Sequence, residues 1–438
     1  MVDQSELPFR LLCRELGTDL TYTPMLHARL MLEYDSYRAA HFDARADIDE
    51  GPVFAQLAGH DPATVVAAAR YVESHVDAVD LNFGCPQGIA RKGRYGAFLL
   101  DEPDTMVAVV DALARELTIP VTAKTRMLPD LEATVQICQR LEAAGASVLC
   151  LHGRTRQQNK QLCGVANWDA IGDVVRRVGI PVIANGGIGS MDDVEACLAH
   201  TGAAAVMSSE ALLENPALFC RNIDPATGTY LDQSELARRY LRHCEAHPPT
   251  KGAGAVRPHL FKLLHQGLRT HTALRDELLC TNDLDELHGI VDRLDEAGWE
   301  QPAFHTPAAR PEVAWYNRYR LDILYPDDAQ AEHRSGPRWA AAPSADTAAG
   351  SRTRGRADLS SEVRELSKEE LEARALAKRD KKRDDRRQKN RNRSARRRAN
   401  RAANGNGGAG ADRGVSAAGD PGAAAALRGR ASALVVLQ

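Results

Sequence analysis

The sequence predicts a TIM-type (β/α)8 barrel with its first strand missing, followed by a small all-α domain and a disordered basic tail. Between residues 20 and 208, short apolar runs alternate with amphipathic stretches, which is typical of βα units. Polar and reactive residues follow these runs, as they do at the carboxyl-end face of a barrel. A doubly wound sheet usually carries GxGxxG in its first βα turn, and the sequence lacks that motif.

A helix and seven strands are predicted in succession from the amino terminus. The pattern of residues 6–16 predicts the helix, and seven strand-like runs follow it. A helix is predicted over 61–76, because Asp61 can cap it and Pro62 suits its first position. Ser190 marks another helix start. The predicted strands are 20–24, 53–57, 78–82, 121–124, 148–152, 182–185 and 204–208.

The count of strands is one short of a barrel, which needs eight. Only the helical stretch 6–16 precedes the first strand-like run. We therefore expect the first strand to lie upstream of Met1, outside this sequence.

Composition divides the chain into four regions. We predict a catalytic barrel over 1–225, a helical domain over 226–300, a linker over 301–350 and a largely disordered tail over 351–438. Residues 1–350 hold 33 Lys and Arg against 48 Asp and Glu, whereas 351–438 hold 23 against 11. The cationic tail either is solvated without a partner or serves RNA binding or nuclear import. Within it, Ser367 to Glu370 matches a capping box, and a lone charged helix could run over 371–401.

Several classes of protein are disfavoured. No run of 18 apolar residues exists, so no membrane-spanning helix is predicted. The nine cysteines form no CxxC pair, which argues against a zinc site and a disulfide framework and favours a reducing compartment. No cluster has metal-ligand spacing, so we expect no metal.

Three strand ends carry candidate binding groups. Lys124 would place its ammonium at the barrel mouth, where it could stabilise an anionic ring or pair with a barrel carboxylate. Asn185, Gly186 and Gly187 offer unobstructed backbone N–H groups for a phosphate, although a plain tight turn needs the same residues. His152 could contact a ligand or simply bond a backbone carbonyl.

Cys85 is the candidate catalytic residue. It lies in a loop pinned by Gly84 and Pro86 directly after a strand. A free thiol has a pKa near 8.5 and is therefore largely protonated at neutral pH, so Cys85 could act as a general acid. An inert loop thiol is the alternative.

Five segments carry a resemblance to a known family. They are Met1 to Ser5, Tyr22 to Ala28, Asp80 to Gln87, Leu151 to Thr155 and Asn185 to Ile188. Together these segments resemble the tRNA-dihydrouridine synthase family. The similarity covers roughly residues 1–290, and its motifs in combination are highly specific. Further likeness at 95–99 and 256–262 points to the eukaryotic branch that acts on D-loop positions 16 and 17.

The resemblance implies a role for each candidate. Cys85 would protonate C5 of uracil after hydride from FMN reaches C6, and NADPH would be the reductant. The implied flavin contacts are Met1, Gln56, Asn82, Lys124, His152, Asn185, Gly186, Gly187 and Ser209. Ser209 is followed by Glu210 where bacterial members often carry Gly-Arg, so phosphate contacts there must come from backbone or another arginine.

The expected function is reduction of uridine to 5,6-dihydrouridine in tRNA by a monomer. Candidate tRNA contacts are Arg154, Arg257 and Lys262, although Arg257 and Lys262 could be ordinary helix-surface and core residues. A cytoplasmic or nuclear location is expected, with organellar targeting left open. The rival hypotheses are a tRNA-binding protein that lost redox activity through the incomplete barrel, and an FMN ene-reductase for small molecules.

Overall fold

A parallel barrel forms the centre of the molecule. The computed structural model describes residues 4–42, 51–302, 304, 315–316 and 434–437. The strands are β1 (Leu20–Tyr22), β2 (Leu26–His27), β3 (Val53–Ala58), β4 (Ala78–Phe83), β5 (Val121–Arg126), β6 (Val148–His152), β7 (Val182–Asn185), β8 (Ala205–Ser208) and β9 (Leu434–Leu437). All seven predicted strands are confirmed, with shifts of one or two residues at their ends.

The barrel is closed by a strand from the carboxyl terminus. In the described part of the chain, β3 to β8 pair in sequence order, β1 pairs with β3, and β9 lies between β8 and β1. Val436 is in register with both Met207 and Leu20. Leu434–Leu437 thus occupies the position of the first barrel strand, which was expected upstream of Met1. β2 is a short extension that pairs with the end of β3.

This closure corrects the predicted tail at one point. Residues 434–437, assigned to a disordered tail, form a strand, because a run of Leu and Val can satisfy its backbone groups between two open edges. The capping box at 367–370, the helix at 371–401 and most of the linker lie outside the described residues.

Helices surround the barrel where the sequence places them. Asp61 accepts from the Thr64 N–H at 2.9 Å, and Ser190 accepts from the Asp193 N–H at 3.2 Å, so both predicted caps are confirmed. The helices of this region are α1 (Leu7–Glu15), α2 (Ala28–Glu33), α3 (Asp35–His41), α4 (Pro62–Val72), α5 (Gly88–Gly93), α6 (Pro103–Glu116), α7 (Leu131–Ala143), α8 (Trp168–Arg177), α9 (Met191–Thr201) and α10 (Glu210–Glu214).

Two apolar cores hold the barrel. A larger one lies between strands and helices, where outward-facing Leu57, Leu81 and Leu151 pack. A smaller one fills the lower barrel interior with Tyr22, Phe54 and neighbours. Because side chains alternate along a strand, the polar residues of the same strands point into the upper interior.

A helical domain follows and docks on α1. Its described helices are α11 (Gln233–Ala246), α12 (Ala253–Leu263), α13 (His265–Thr270), α14 (Thr272–Cys280) and α15 (Leu284–Ala297). The buried Glu6 carboxylate, just before α1, accepts from Tyr240 Oη at 2.5 Å and lies 3.0 Å from His259 Nε2. Across the described residues, no helix is both long and apolar enough to span a membrane.

Candidate active site

The polar strand ends lie side by side at the carboxyl-end face of the barrel. Asn82 is in register with Lys124, and His152 is in register with Arg126 on one side and Asn185 on the other. Parallel pairing of neighbouring strands therefore brings together the groups that the sequence predicted for one site.

The Cys85 loop is held by Asn82. Asn82 Oδ1 accepts from the backbone N–H groups of Gly84 at 3.1 Å and Cys85 at 2.9 Å. The Cys85 carbonyl accepts from the Ala97 N–H at 3.0 Å. A Cβ atom on Gly96 would lie 2.7 Å from that carbonyl, and Gly96 has a φ of +66°, so glycine is required there. The loop fixes a half-buried thiol at the mouth.

A buried carboxylate lies below this loop. Asp80 is fully buried and accepts from Gln56 Nε2 at 2.9 Å and from Thr122 Oγ1 at 2.7 Å. Gln56 Oε1 in turn accepts from Asn82 Nδ2 at 2.8 Å. Burial raises the pKa of Asp80 to about 6, although the bonds from Gln56 and Thr122 and the charge of Lys124 oppose this rise.

Lys124 is a buried cation whose direct partner is neutral. Its Nζ donates to Asn185 Oδ1 at 3.0 Å, and Asn185 Nδ2 donates to the Met207 carbonyl at 2.9 Å. Burial lowers the pKa of Lys124. Because the hydrogen bond of Lys124 goes to an amide and not to a carboxylate, the geometry of the described residues does not support the alternative of a structural ion pair.

The turn after β7 depends on its glycines. Gly186 and Gly187 have φ angles of +103° and +84°. A Cβ atom on Gly186 would lie 2.8 Å from His152 Cδ2, so this residue has neither the space nor the backbone conformation for a side chain. Trp168 Nε1 donates to the Gly186 carbonyl at 2.9 Å and fixes the turn from outside.

Arg154 contacts the His152 imidazole. Arg154 is buried, and its Nη1 lies 3.2 Å from His152 Nε2. Because a guanidinium only donates, Nε2 accepts and the imidazole proton is on Nδ1. Arg154 Nε also donates to the Gly164 carbonyl at 3.1 Å. The position of Arg154 therefore orients His152 at the mouth.

Ser209 and the two predicted tRNA contacts in α12 lie in different surroundings. Ser209 precedes the short helix α10 at the end of β8, and its side chain makes no capping bond. Arg257 donates to the carbonyls of Leu279 at 2.6 Å and Thr281 at 3.2 Å. Lys262 is buried and donates to the Pro258 carbonyl at 2.8 Å. Met1 lies outside the described residues.

Three residues of the site were missed by the sequence reasoning. Asp80 accepts from Gln56 and from Thr122, and Arg126 donates to the Gly84 carbonyl at 2.8 Å and the Thr155 carbonyl at 2.9 Å. Burial and the nearby Arg154 lower the pKa of Arg126 to about 10. Polar residues at alternate positions of β4 and β5, two apart, were the signal that could have found them.

The fold and the site define the class of the protein. A closed parallel barrel with a positioned thiol and a buried ammonium at its carboxyl-end face is the arrangement of TIM-barrel enzymes.

Comparison with known proteins narrows this class. Residues 1–297 match the family described as dihydrouridine synthase (Dus). A Rattus norvegicus protein named tRNA-dihydrouridine(16/17) synthase [NAD(P)(+)]-like is 41% identical over 311 residues, which cover 71% of this chain and 69% of that one. A Schizosaccharomyces pombe tRNA-dihydrouridine(16/17) synthase is 39% identical over 285 residues, covering 64% of this chain and 71% of that one.

A more distant relative is the Homo sapiens tRNA-dihydrouridine(20a/20b) synthase-like protein, 36% identical over 222 residues that cover 50% of this chain and 68% of that one. For a Mus musculus relative named for positions 16/17, the match covers 64% of that protein's length. The chain belongs to the dihydrouridine synthase family.

Proposed function

We propose that this chain reduces uridine to 5,6-dihydrouridine in tRNA, at D-loop positions 16 and 17, with FMN and NADPH. The observation that carries the proposal is the Cys85 loop, which two bonds to Asn82 hold at the mouth of a barrel of this family. The choice of positions and of NAD(P)H rests on the names of relatives about 40% identical.

The residues at the mouth fit a flavin. The Lys124 ammonium has a neutral direct hydrogen-bond partner, so its positive charge can stabilise an electron-rich ring. The turn at Gly186 and Gly187 presents backbone without side chains, which suits a ribityl phosphate. FMN, when bound, supplies the hydride for C6 of uracil, and NADPH is its reductant.

Cys85 holds the proton that C5 receives. Its thiol lies beside an apolar cluster that includes Met25, Tyr95 and Phe98, which excludes water from one side of the mouth. A uridine must leave its stack to reach this thiol, and the flat flavin and these side chains offer surfaces for the unstacked base. Asn82 keeps the thiol in place while the base enters.

The tRNA backbone is proposed to follow a cleft between the barrel and the helical domain. Lys251 lines the cleft together with Thr23 and Pro24, which directly follow β1 at the mouth. The basic tail would add salt-dependent affinity. Arg257 and Lys262 are left out of this proposal, because both already donate to backbone carbonyls, and Arg154 is given the role of orienting His152.

The test is the formation of dihydrouridine by purified protein with NADPH and tRNA. Cys85→Ala should retain bound flavin and tRNA affinity but lose turnover by a factor of about 10²–10⁴, as expected for a lost general acid. Cys220→Ala is the matched control, since this half-buried cysteine lies in a 3-10 helix after α10 and should leave turnover unchanged. Unchanged product formation by Cys85→Ala would contradict the role of the thiol.

The two rival hypotheses predict different outcomes of this test. A protein without flavin absorbance and without product would be the tRNA-binding alternative, whose premise of an open barrel is removed by β9. Flavin reduction with turnover of a small enone but not of tRNA would favour the ene-reductase. The helical domain after the barrel favours the RNA substrate, because Ala255 of α12 and the loop at 249–251 before this helix border the cleft beside the mouth.

A further inference from the structure

A chain of side-chain hydrogen bonds connects the barrel interior to the Cys85 loop. It begins at Asp80, passes through Gln56 and Asn82, and ends at the backbone N–H groups of Gly84 and Cys85. All bonds in the chain are between 2.8 and 3.1 Å. Asp80, Gln56 and Asn82 are at most 7% exposed, so water does not compete strongly for these bonds.

The groups at the two ends of this series of hydrogen bonds require the same orientation of the two amides between them. An ionised carboxylate only accepts, so Gln56 must present Nε2 to Asp80, and its Oε1 then faces Asn82. Asn82 must therefore present Nδ2 to Gln56, which leaves Oδ1 for the loop. The backbone N–H groups of the loop only donate, so they require that oxygen. If either amide were reversed, two N–H donors would face each other and one hydrogen bond would be lost.

We propose that Asp80 is a positioning residue for the general acid: its carboxylate sets the amide orientations of Gln56 and Asn82 and thereby holds the Cys85 loop. It does not touch substrate or flavin. The effect on turnover rests on the proposed function, whereas the effect on the loop does not.

A variant at Thr122 distinguishes the positioning role of Asp80 from simple packing. Its hydroxyl donates to the other carboxylate oxygen of Asp80, but it is no part of the path to Cys85. Thr122→Val removes a bond to the same buried group and should leave the orientation of Gln56 unchanged. If burial of a satisfied carboxylate were all that mattered, Thr122→Val would disturb the loop as much as a change at Asp80.

The experiment measures hydrogen exchange at the amides of Gly84 and Cys85, residue by residue, in the full-length protein. Asp80→Leu keeps the number and branching of the side-chain heavy atoms but offers no acceptor. Exchange at both amides should be at least about fivefold faster, the factor expected when one ordinary hydrogen bond is lost. Asp80→Asn can still present an oxygen to Gln56 and should restore most of the protection. Thr122→Val should stay within about twofold of the unmodified protein.

Turnover gives the second readout. Asp80→Leu should lower kcat by about tenfold or more and leave KM for tRNA unchanged, because the thiol and not the RNA surface is displaced. Asp80→Asn should recover most of kcat. A rise in KM for tRNA together with a fall in kcat would indicate a general structural role and overturn the proposal.

The outcomes are separable from those of the proposed function. If the unmodified protein makes no dihydrouridine, the exchange rates still decide whether Asp80 holds the loop. Unaltered exchange in Asp80→Leu, or equal acceleration by Thr122→Val, would overturn the positioning role. Should Asp80→Leu fail to fold, Gln56→Leu breaks the same chain at its middle, and protected amides in that variant would equally refute it.

Discussion

At the scale of single residues, Lys124 carries a charge inside the barrel with an amide as its direct partner. Taking an ammonium out of water is costly, and the lowered pKa of Lys124 reports that cost. The stability penalty is greatest at pH values below the folded pKa and fades as the pH rises from there towards the unfolded pKa. Because Lys124 destabilises the flavin-free protein in this way, the simplest explanation of its presence is that it binds the flavin.

Lys124→Met should therefore have opposite effects on folding and on flavin binding. Flavin-free protein should be at least as stable at pH 7 as the parent, because a buried charge is removed. The Kd for FMN should rise about 10- to 100-fold, which corresponds to a lost charge-assisted bond of about 1.5–3 kcal/mol. Thermal unfolding with and without FMN and fluorescence titration measure both effects. Lys92→Met, at an exposed residue of α5, is the control, and an equal Kd in both variants would refute the role of Lys124.

At the scale of elements, α1 connects the barrel to the helical domain. Glu6 accepts from Tyr240 of α11 and faces His259 of α12. Burial alone would raise the pKa of Glu6, but the His259 charge and the bonds from His259 and Tyr240 outweigh it and lower that pKa. This contribution to stability is present above the unfolded pKa and is lost as the pH falls through the folded pKa. Phe9 stacks on His259 with ring centroids 4.2 Å apart.

Glu6→Gln tests this junction with little change of shape. At pH 7 the free energy of unfolding should fall by about 1–3 kcal/mol, because a charged acceptor between buried donors becomes neutral. The difference from the parent protein should shrink at pH values below about 4.5. Urea unfolding at both pH values measures it. Glu33→Gln, which breaks an exposed ion pair with Arg29, should cost at most about 0.5 kcal/mol. Equal effects of the two variants would show that the junction adds no special stability.

At the scale of the whole molecule, the barrel is closed by the two ends of the described chain. β9 pairs with β8 along its whole length and with β1 through Val436 and Leu437. Without it, both neighbours would present open strand edges, which expose unpaired backbone groups and promote aggregation. The integrity of the site therefore depends on the carboxyl terminus, because Asn185 on β7 is anchored to the Met207 carbonyl on β8.

Deleting residues 434–438 should lower the free energy of unfolding by more than about 3 kcal/mol and reduce soluble yield. The deletion of 371–401 is the control, since it removes more of the chain and leaves every described strand in place. Thermal unfolding and light scattering distinguish the two proteins. If the shorter deletion leaves both measurements unchanged, β9 is not needed for closure.

The sequence by itself determined the succession of strands, their ends within one or two residues, and the loop of Cys85. Apolar runs, caps such as Asp61 and the Gly-Pro-pinned loop are local features, so local patterns reveal them.

Only the tertiary structure decided which distant residues act together. Gln56, Asp80 and Thr122 meet because the strands that carry them are neighbours in register. Arg257 and Lys262 are candidate RNA contacts in the sequence, and the structure shows that Arg257 Nη1 and Lys262 Nζ donate to carbonyls that the helical packing brings near. The closing strand shows the same limit, because Leu434–Leu437 is a short apolar run whose partners β1 and β8 lie far away in the chain. Strand pairing depends on which edges remain open in the folded barrel, and no local pattern contains that information.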